Sequence, residues 1–275
     1  MKFSGQVVWI TGASSGIGEA LAYEFAREGA SLILSSRREL ELERVRQKCA
    51  WPERHLTQVL DLARPETFPT LVAERMAQSR RVDVLVNNGG VSQRAFAADA
   101  TPDVERALME VDYFGPVALT KAVLPFMRDR RSGRIVVVSS VMGYVGTPGR
   151  STYAAAKHAL HGYFDSLRAE VWRDGIGVTL VCPGYVKTAV SDNAVGPRGE
   201  KHGRTDGTHM TGISAEKCAA AIVRAVASGR EEVYVGREAY AIYVKRLMPW
   251  LYSRIVRRMK FSVSGPSGDS RPDSD

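Results

Sequence analysis

Val7-Val8-Trp9-Ile10-Thr11-Gly12-Ala13-Ser14-Ser15-Gly16-Ile17-Gly18 is the stretch on which the reading of this chain turns. The apolar run 7–10 lies between Gly5 and Gly12 and predicts a buried strand. A glycine-rich turn follows. Ile17, Leu21, Phe25 and Ala26 then recur at helical spacing until Arg27-Glu28-Gly29 stops the pattern. Glycines in such a turn let the backbone approach a pyrophosphate, and the N-terminus of the next helix favours its negative charge. Taken alone, the turn also allows a second reading, a tight turn with a helix cap.

Working outward, the same alternation repeats. Apolar runs at 31–34, 56–60, 84–86, 134–139, 177–182 and 232–235 predict strands. Residues 39–48, 68–77, 104–127, 153–172 and 214–227 predict helices, with Pro116 and Pro125 expected to kink or end the long one. Strands alternating with helices indicate an α/β fold with a doubly wound parallel sheet. Near-continuous apolar strands fit a sheet covered on both faces. No linker interrupts the pattern, so residues 1–236 are expected to form a single domain. Residues 237–261 then read as a basic amphipathic helical extension. The Ser/Pro/Gly/Asp-rich residues 262–275 read as a disordered tail. Residues 191–210, rich in Gly, His and charge, are expected to be a mobile loop over the site.

Composition excludes several classes. A chain of 275 residues, 44% hydrophobic and 25% charged, is neither a disordered protein nor a small disulfide-stapled scaffold. Cys49, Cys182 and Cys218 lie far apart and form no metal-ligand spacing, so no metal site is expected. An odd, sparse set of thiols suits a reducing compartment. No apolar run is long enough to span a membrane, and Met1-Lys2-Phe3 leads into a strand without a signal-peptide pattern. A cytoplasmic protein is therefore expected. The net charge is +8, but seven basic residues and one acid fall between Arg237 and Lys260. The excess is local, and nucleic-acid binding is not expected.

Two further stretches carry chemistry. In Tyr153-Ala154-Ala155-Ala156-Lys157 the phenol and the ammonium stand one helical turn apart on one face. A nearby positive charge favours a phenolate and helps a phenol exchange a proton near neutral pH. Val136-Val137-Val138-Ser139-Ser140 ends a strand in hydroxyls, at the edge where open α/β sheets bind ligands. Each pattern alone is common: the first on ordinary helix surfaces, the second at strand-ending turns.

Together these motifs resemble the short-chain dehydrogenase/reductase family, over residues 2–236. Thr11 to Gly18 matches its cofactor turn, and Asp61 follows the third strand where the family contacts adenine. Asn87-Asn88-Gly89-Gly90 is similar to the family's Asn-Asn-Ala-Gly, with Gly89 in the Ala place. Ser140, Tyr153 and Lys157 match its Ser-Tyr-x-x-x-Lys set, and Pro183-Gly184 with Thr188 resembles its Pro-Gly motif. The 109–121 stretch and the C-terminal extension look most like the subgroup called dehydrogenase/reductase SDR family member 7B. The resemblance implies a Rossmann fold and hydride transfer between a nicotinamide cofactor and a carbonyl or alcohol. It implies that Tyr153 exchanges the proton, Lys157 assists it and holds the ribose, and Ser140 orients the substrate oxygen. The implied cofactor set is Gly12, Ser14, Ser15, Gly16, Ile17, Gly18, Arg37, Arg38, Asp61, Leu62, Asn87, Gly89, Tyr153, Lys157, Val186 and Thr188. It also implies a homodimer or homotetramer built through the helices 104–127 and 153–172.

One departure stands out. Asp112 occupies the place of the family's Asn, whose backbone carbonyl helps hold a relay water. Asp keeps that carbonyl, so activity is expected to survive. An added carboxylate near Lys157 would either strengthen a lysine contact or hinder ribose binding.

At the end of the second strand Ser36 replaces the acid that would meet a ribose 2′-OH, and Arg37 and Arg38 follow. Guanidinium groups suit a 2′-phosphate, so NADP(H) is expected, with Arg37 the first candidate and Arg38 the second. Val141, Met142, Tyr144 and Val145, following Ser140, point to an apolar substrate. In the extension, Tyr240, Val244, Leu247, Leu251, Ile255 and Met259 form a helical stripe among basic residues, with Pro249 breaking it. Two readings stay open: a helix packed on its own domain or on a partner subunit, and a segment lying on anionic lipid at 239–260. Two alternatives to the main function also remain. One is a 3-oxoacyl-carrier-protein reductase, whose acidic partner would suit a basic surface. The other is a non-catalytic NADP-binding sensor or scaffold, favoured by Asp112 alone.

Overall fold

The structure, a computed structural model, describes residues 1–79, 81–188, 190, 193–203 and 212–259. The apolar runs become seven parallel strands: β1 (Val7–Thr11), β2 (Ser31–Ser36), β3 (Leu56–Val59), β4 (Val84–Asn87), β5 (Gly133–Val138), β6 (Ile176–Pro183) and, near the end, Glu232–Val235. Side chains alternate across the sheet. Val8 and Ile10 join one buried cluster, and Trp9 joins the other. Trp9 is fully buried and satisfies its indole N–H on Ser35 Oγ at 2.8 Å.

Helices cover both faces. On one side α1 (Gly16–Arg27) and α2 (Glu39–Lys48) bury Phe25, Leu42 and Val45 against the sheet. On the other, α3 (Phe68–Ser79) brings in Phe68 and Val72. Fully burying a residue of this kind contributes roughly 2 kcal/mol. That far exceeds the few tenths that separate ordinary helix propensities. Tertiary packing therefore holds these elements in place.

The expected long helix is interrupted. It forms as α4 (Pro102–Met109), a π-helical turn at Glu110–Phe114 and α5 (Gly115–Asp129). Pro116 lies in the first turn of α5, directly after the π-helical turn, and does not end the helix. Pro125 stands inside α5 without ending it. Next comes α6 (Ser151–Val171), which starts two residues before the predicted 153. A two-stranded parallel pair, β7 (Val186–Lys187) with β8 (Ile213–Ser214), precedes α7 (Ala215–Ala227) and β9 (Glu232–Val235); the sequence pattern gave no sign of that pair.

The sheet order is β3-β2-β1-β4-β5-β6-β9. The winding reverses between β1 and β4, and a crevice opens there beyond the carboxyl ends of the strands, as expected of a doubly wound sheet. Past β9, α8 (Tyr240–Leu247) and α9 (Pro249–Arg257) form the extension, and Pro249 opens the second helix as anticipated. Ile242 and Ala239 pack on Val141 and Val145 of the main domain. The predicted stripe is not one face. Tyr240 and Leu247 are exposed, whereas Ile242 is buried. Of the loop expected over the site, residues 193–203 are described; 191–192 and 204–210, like the tail 262–275, lie outside the described residues. Among the described residues, no helix is long and apolar enough to cross a membrane.

Candidate active site

The site begins where β1 ends. Gly12 has φ +65°, and a Cβ there would come within 2.7 Å of Gly89 Cα. A Cβ on Gly18 would meet Gly12 O at 2.1 Å. Only bare glycines let the ends of β1 and β4 and the start of α1 close up this tightly. Thr11 Oγ1 fastens them by accepting the N–H groups of Asn88 and Gly89, both at 3.0 Å. Asn88 Nδ2 donates to Thr11 O at 3.0 Å. The N-cap Ser15 makes no side-chain capping bond, so the first amides of α1 face the crevice uncapped by it. This cradle fits a pyrophosphate in both shape and charge.

A cavity of about 770 Å³ runs from this turn across the carboxyl ends of the strands. Gly12, Ser14, Ser15, Gly16, Ile17, Arg37, Arg38, Asp61, Leu62, Gly89, Val186 and Thr188 line it, together with Asp112, Ser140, Tyr153 and Lys157. Two expected cofactor residues do not. Asn87 turns into the core and donates from Nδ2 to Thr120 Oγ1 at 2.9 Å. Gly18 lies under Gly12, where its part is close packing. Arg38 folds over the turn, donating to Ser14 Oγ and Ser15 Oγ at 2.9 Å each.

At the other end, α6 carries Tyr153 and Lys157, with the ammonium 5.4 Å from the phenol ring centre. Gln93, fully buried, holds the start of α6: its Oε1 accepts the N–H groups of Thr152 and Tyr153 at 2.9 and 3.2 Å. Sequence reasoning missed it, because its partners lie far along the chain. Ser140 caps a short 3₁₀ turn, Val141–Gly143, accepting Met142 N–H at 3.1 Å and donating to Pro183 O at 3.4 Å.

Asp112 emerges from the π-helical turn and points inward. It is fully buried, accepts Val91 N–H at 2.7 Å and pairs with Lys157 Nζ at 3.2 Å. Burial pushes its carboxyl up, against the pull of the ammonium and the Val91 amide. Burial also disfavours the Lys157 ammonium, but the carboxylate and the Tyr153 phenol more than offset this and hold it high.

Behind Ser140 lies a second polar cluster. His161 meets Ser139 Oγ at 2.9 Å, and burial pushes its imidazole down to about 4. Tyr144 stacks edge-on against His161 and donates to Glu232 at 2.6 Å. The extension reaches this loop as well. Lys245 Nζ donates to Tyr144 O and Tyr252 OH to Gly146 O, each at 2.6 Å. Ala241, Val244, Tyr252, Ile255, Val256 and Met259 complete the cavity wall. The spacing of Tyr252, Ile255, Val256 and Met259 on one helical face was the signal available for this in the sequence.

Comparison with known proteins gives concordant matches. The family model described as short chain dehydrogenase matches residues 6–197. A Drosophila melanogaster protein, dehydrogenase/reductase SDR family protein 7-like, is 43% identical over 94% of this chain and 81% of its own length. A Bos taurus protein, dehydrogenase/reductase SDR family member 7B, is 40% identical over 91% of this chain and 80% of its own. The crystal structure of a short-chain dehydrogenase from Streptomyces avermitilis superimposes with a TM-score of 0.76 at 30% identity, covering 94% of this chain and 99% of that one.

Proposed function

Because this chain belongs to the short-chain dehydrogenase/reductase family of oxidoreductases, we propose that it transfers a hydride between NADP(H) and an apolar, lipid-like carbonyl or secondary alcohol. The end of β2 carries the cofactor half of this reading. Ser36 stands where a carboxylate would repel a 2′-phosphate, and Arg37 and Arg38 line the cavity beside the Ser14–Ser15 turn.

Gly12, Ser14, Ser15, Gly16 and Ile17 would hold the pyrophosphate, and Asp61 and Leu62 the adenine. Gly89, Val186 and Thr188 would flank the nicotinamide half, with Tyr153 and Lys157 on its ribose. The nicotinamide, when bound, supplies or takes the hydride. Tyr153 exchanges the proton with the substrate oxygen, and Ser140 orients that oxygen once its hydroxyl leaves Pro183 O. Lys157 favours the phenolate. The apolar far wall, Met142, Val145 and Val190 with α8 and α9, supports an apolar substrate. It also weighs against a carrier-protein reductase, a compact enzyme with no place for this extension. Exposed Phe114, just before α5, and Phe126, within it, support assembly as a homodimer or homotetramer through α5 and α6.

The test is fluorescence titration with NADPH and NADH, followed by a panel of carbonyls. Arg37→Ala should weaken NADPH about tenfold or more and NADH about twofold or less. Equal losses would overturn the NADP assignment, and binding of neither cofactor would overturn the function. Asp112 motivates the second reading, a non-catalytic NADP-binding protein. We expect turnover in the unmodified chain, and Asp112→Asn to change it by about tenfold or less. A rise of about a hundredfold or more on that substitution would mark an impaired proton relay and favour the second reading.

A further inference from the structure

The cavity's outer wall has two sides of different character. Inward, Tyr252, Ile255, Val256 and Met259 of the extension face the site. Outward, Tyr240, Tyr243, Leu247 and Trp250 are 73, 54, 77 and 66% exposed. Tyr240, Tyr243 and Leu247 share one stripe of α8, and Trp250 opens α9 next to it. A cluster of large apolar side chains with no cover is uncommon on a soluble surface and marks a place of contact.

Charge identifies the partner. Residues 240–259 contain Lys245, Arg246, Arg254, Arg257 and Arg258 and no Asp or Glu. Arg254, Arg257 and Arg258 are exposed at the same end of the extension as Trp250. A two-fold contact between copies through this patch would set cations against cations. Aromatic and aliphatic residues ringed by guanidinium groups match instead the boundary between anionic headgroups and acyl chains.

We propose that α8 and α9 seat the protein on an anionic lipid surface and that an apolar carbonyl substrate enters the cavity from that surface, past α9. The seating half rests on the exposed face alone. The delivery half rests on the proposed activity at the site. The same helices hold the loop after Ser140 through Lys245 and Tyr252, so the lipid-facing element and the substrate-orienting element are physically joined.

The experiment is sedimentation of the full chain with phosphatidylcholine vesicles, with and without phosphatidylglycerol, at low and high salt. Binding should be about tenfold or more stronger to the anionic vesicles and should fall with salt. Leu247→Glu with Trp250→Glu, both away from the cavity, should reduce it about tenfold or more. NADPH affinity of that variant should be unchanged, which also shows that it is folded. Turnover of a long-chain methyl ketone carried in the vesicles should fall with binding, while turnover of a water-soluble ketone should not. Equal sedimentation with neutral and anionic vesicles, or equal binding by the variant, would overturn the proposal. So would self-association that depends on Leu247 and Trp250. Vesicle binding without turnover of either ketone would uphold the seating and remove the activity on which delivery rests. Turnover of the soluble ketone without vesicle binding would remove the inference alone.

Discussion

Tyr153 stands at the start of a helix, and a glutamine distant in sequence fixes that start. The N-cap of α6, Arg150, makes no capping bond of its own, and Gln93 Oε1 takes the amides of Thr152 and Tyr153 instead. Removing a helix cap costs about 1 kcal/mol, and here the freed turn carries the phenol we propose as the proton exchanger. Gln93→Ala should therefore lower kcat about tenfold or more while leaving NADPH affinity within about twofold. Steady-state kinetics with a cofactor titration measures both. Ser140, Tyr153 and Lys157 were legible because their spacing is local, along one strand end and one helix face. Gln93 was not, because its partners lie 59 and 60 positions away and only the packed fold joins them. Asn87 misled for the opposite reason. The motif placed it correctly at the end of β4, but alternation along the strand sends its side chain to Thr120.

Among the elements, the loop after Ser140 and the helix α6 are locked together. Gly143 touches His161 so closely that a Cβ would come within 2.4 Å of the ring. Among the described residues buried His161 Nδ1 has no hydrogen-bond partner, so the ring fits best as the neutral tautomer donating from Nε2 to Ser139. A protonated ring would bury a second donor with no acceptor. The imidazole is held down to about 4 in the fold, against an ordinary 6.5. Between those values the unfolded chain binds a proton that the folded chain refuses, so stability falls as pH drops from 6.5 towards 4. The full loss is roughly 3 kcal/mol. Urea unfolding at neutral and acid pH should show this slope in the unmodified protein, and His161→Gln should remove that share of it. The π-helical turn, like the β7–β8 pair, escaped the sequence reading. The π-helical turn hides in a continuous helical period, although it is what turns Asp112 inward. The extension read as a single stripe because the steps were carried through Pro249. Met248, with φ −136° and ψ 65°, resets the phase, so α8 buries Ile242 while α9 sets half-exposed side chains against the cavity.

For the molecule as a whole, the parallel order of the sheet explains why residues spread from Gly12 to Thr188 meet in one crevice. The reversal between β1 and β4 leaves the carboxyl ends of adjacent strands open, and every lining loop leaves from one of those ends. This was legible, because strand and helix alternate with little interruption as far as β6. The last wall of the cavity was not, since its helices come after the final strand and no repeating unit announces where they return. That wall has a consequence for how such proteins diverge. The proposed cofactor cradle and the Ser140–Tyr153–Lys157 set rest on strand pairing, glycine contacts and a buried ion pair, so a change there disturbs packing as well as the site. Ile255, Val256 and Met259 line the same cavity from α9 and just beyond it, after the last strand. Substitutions at those three positions would reshape one wall of the pocket and leave the strand ends and the glycine turn in place, so the choice of substrate is the property that relatives could vary separately.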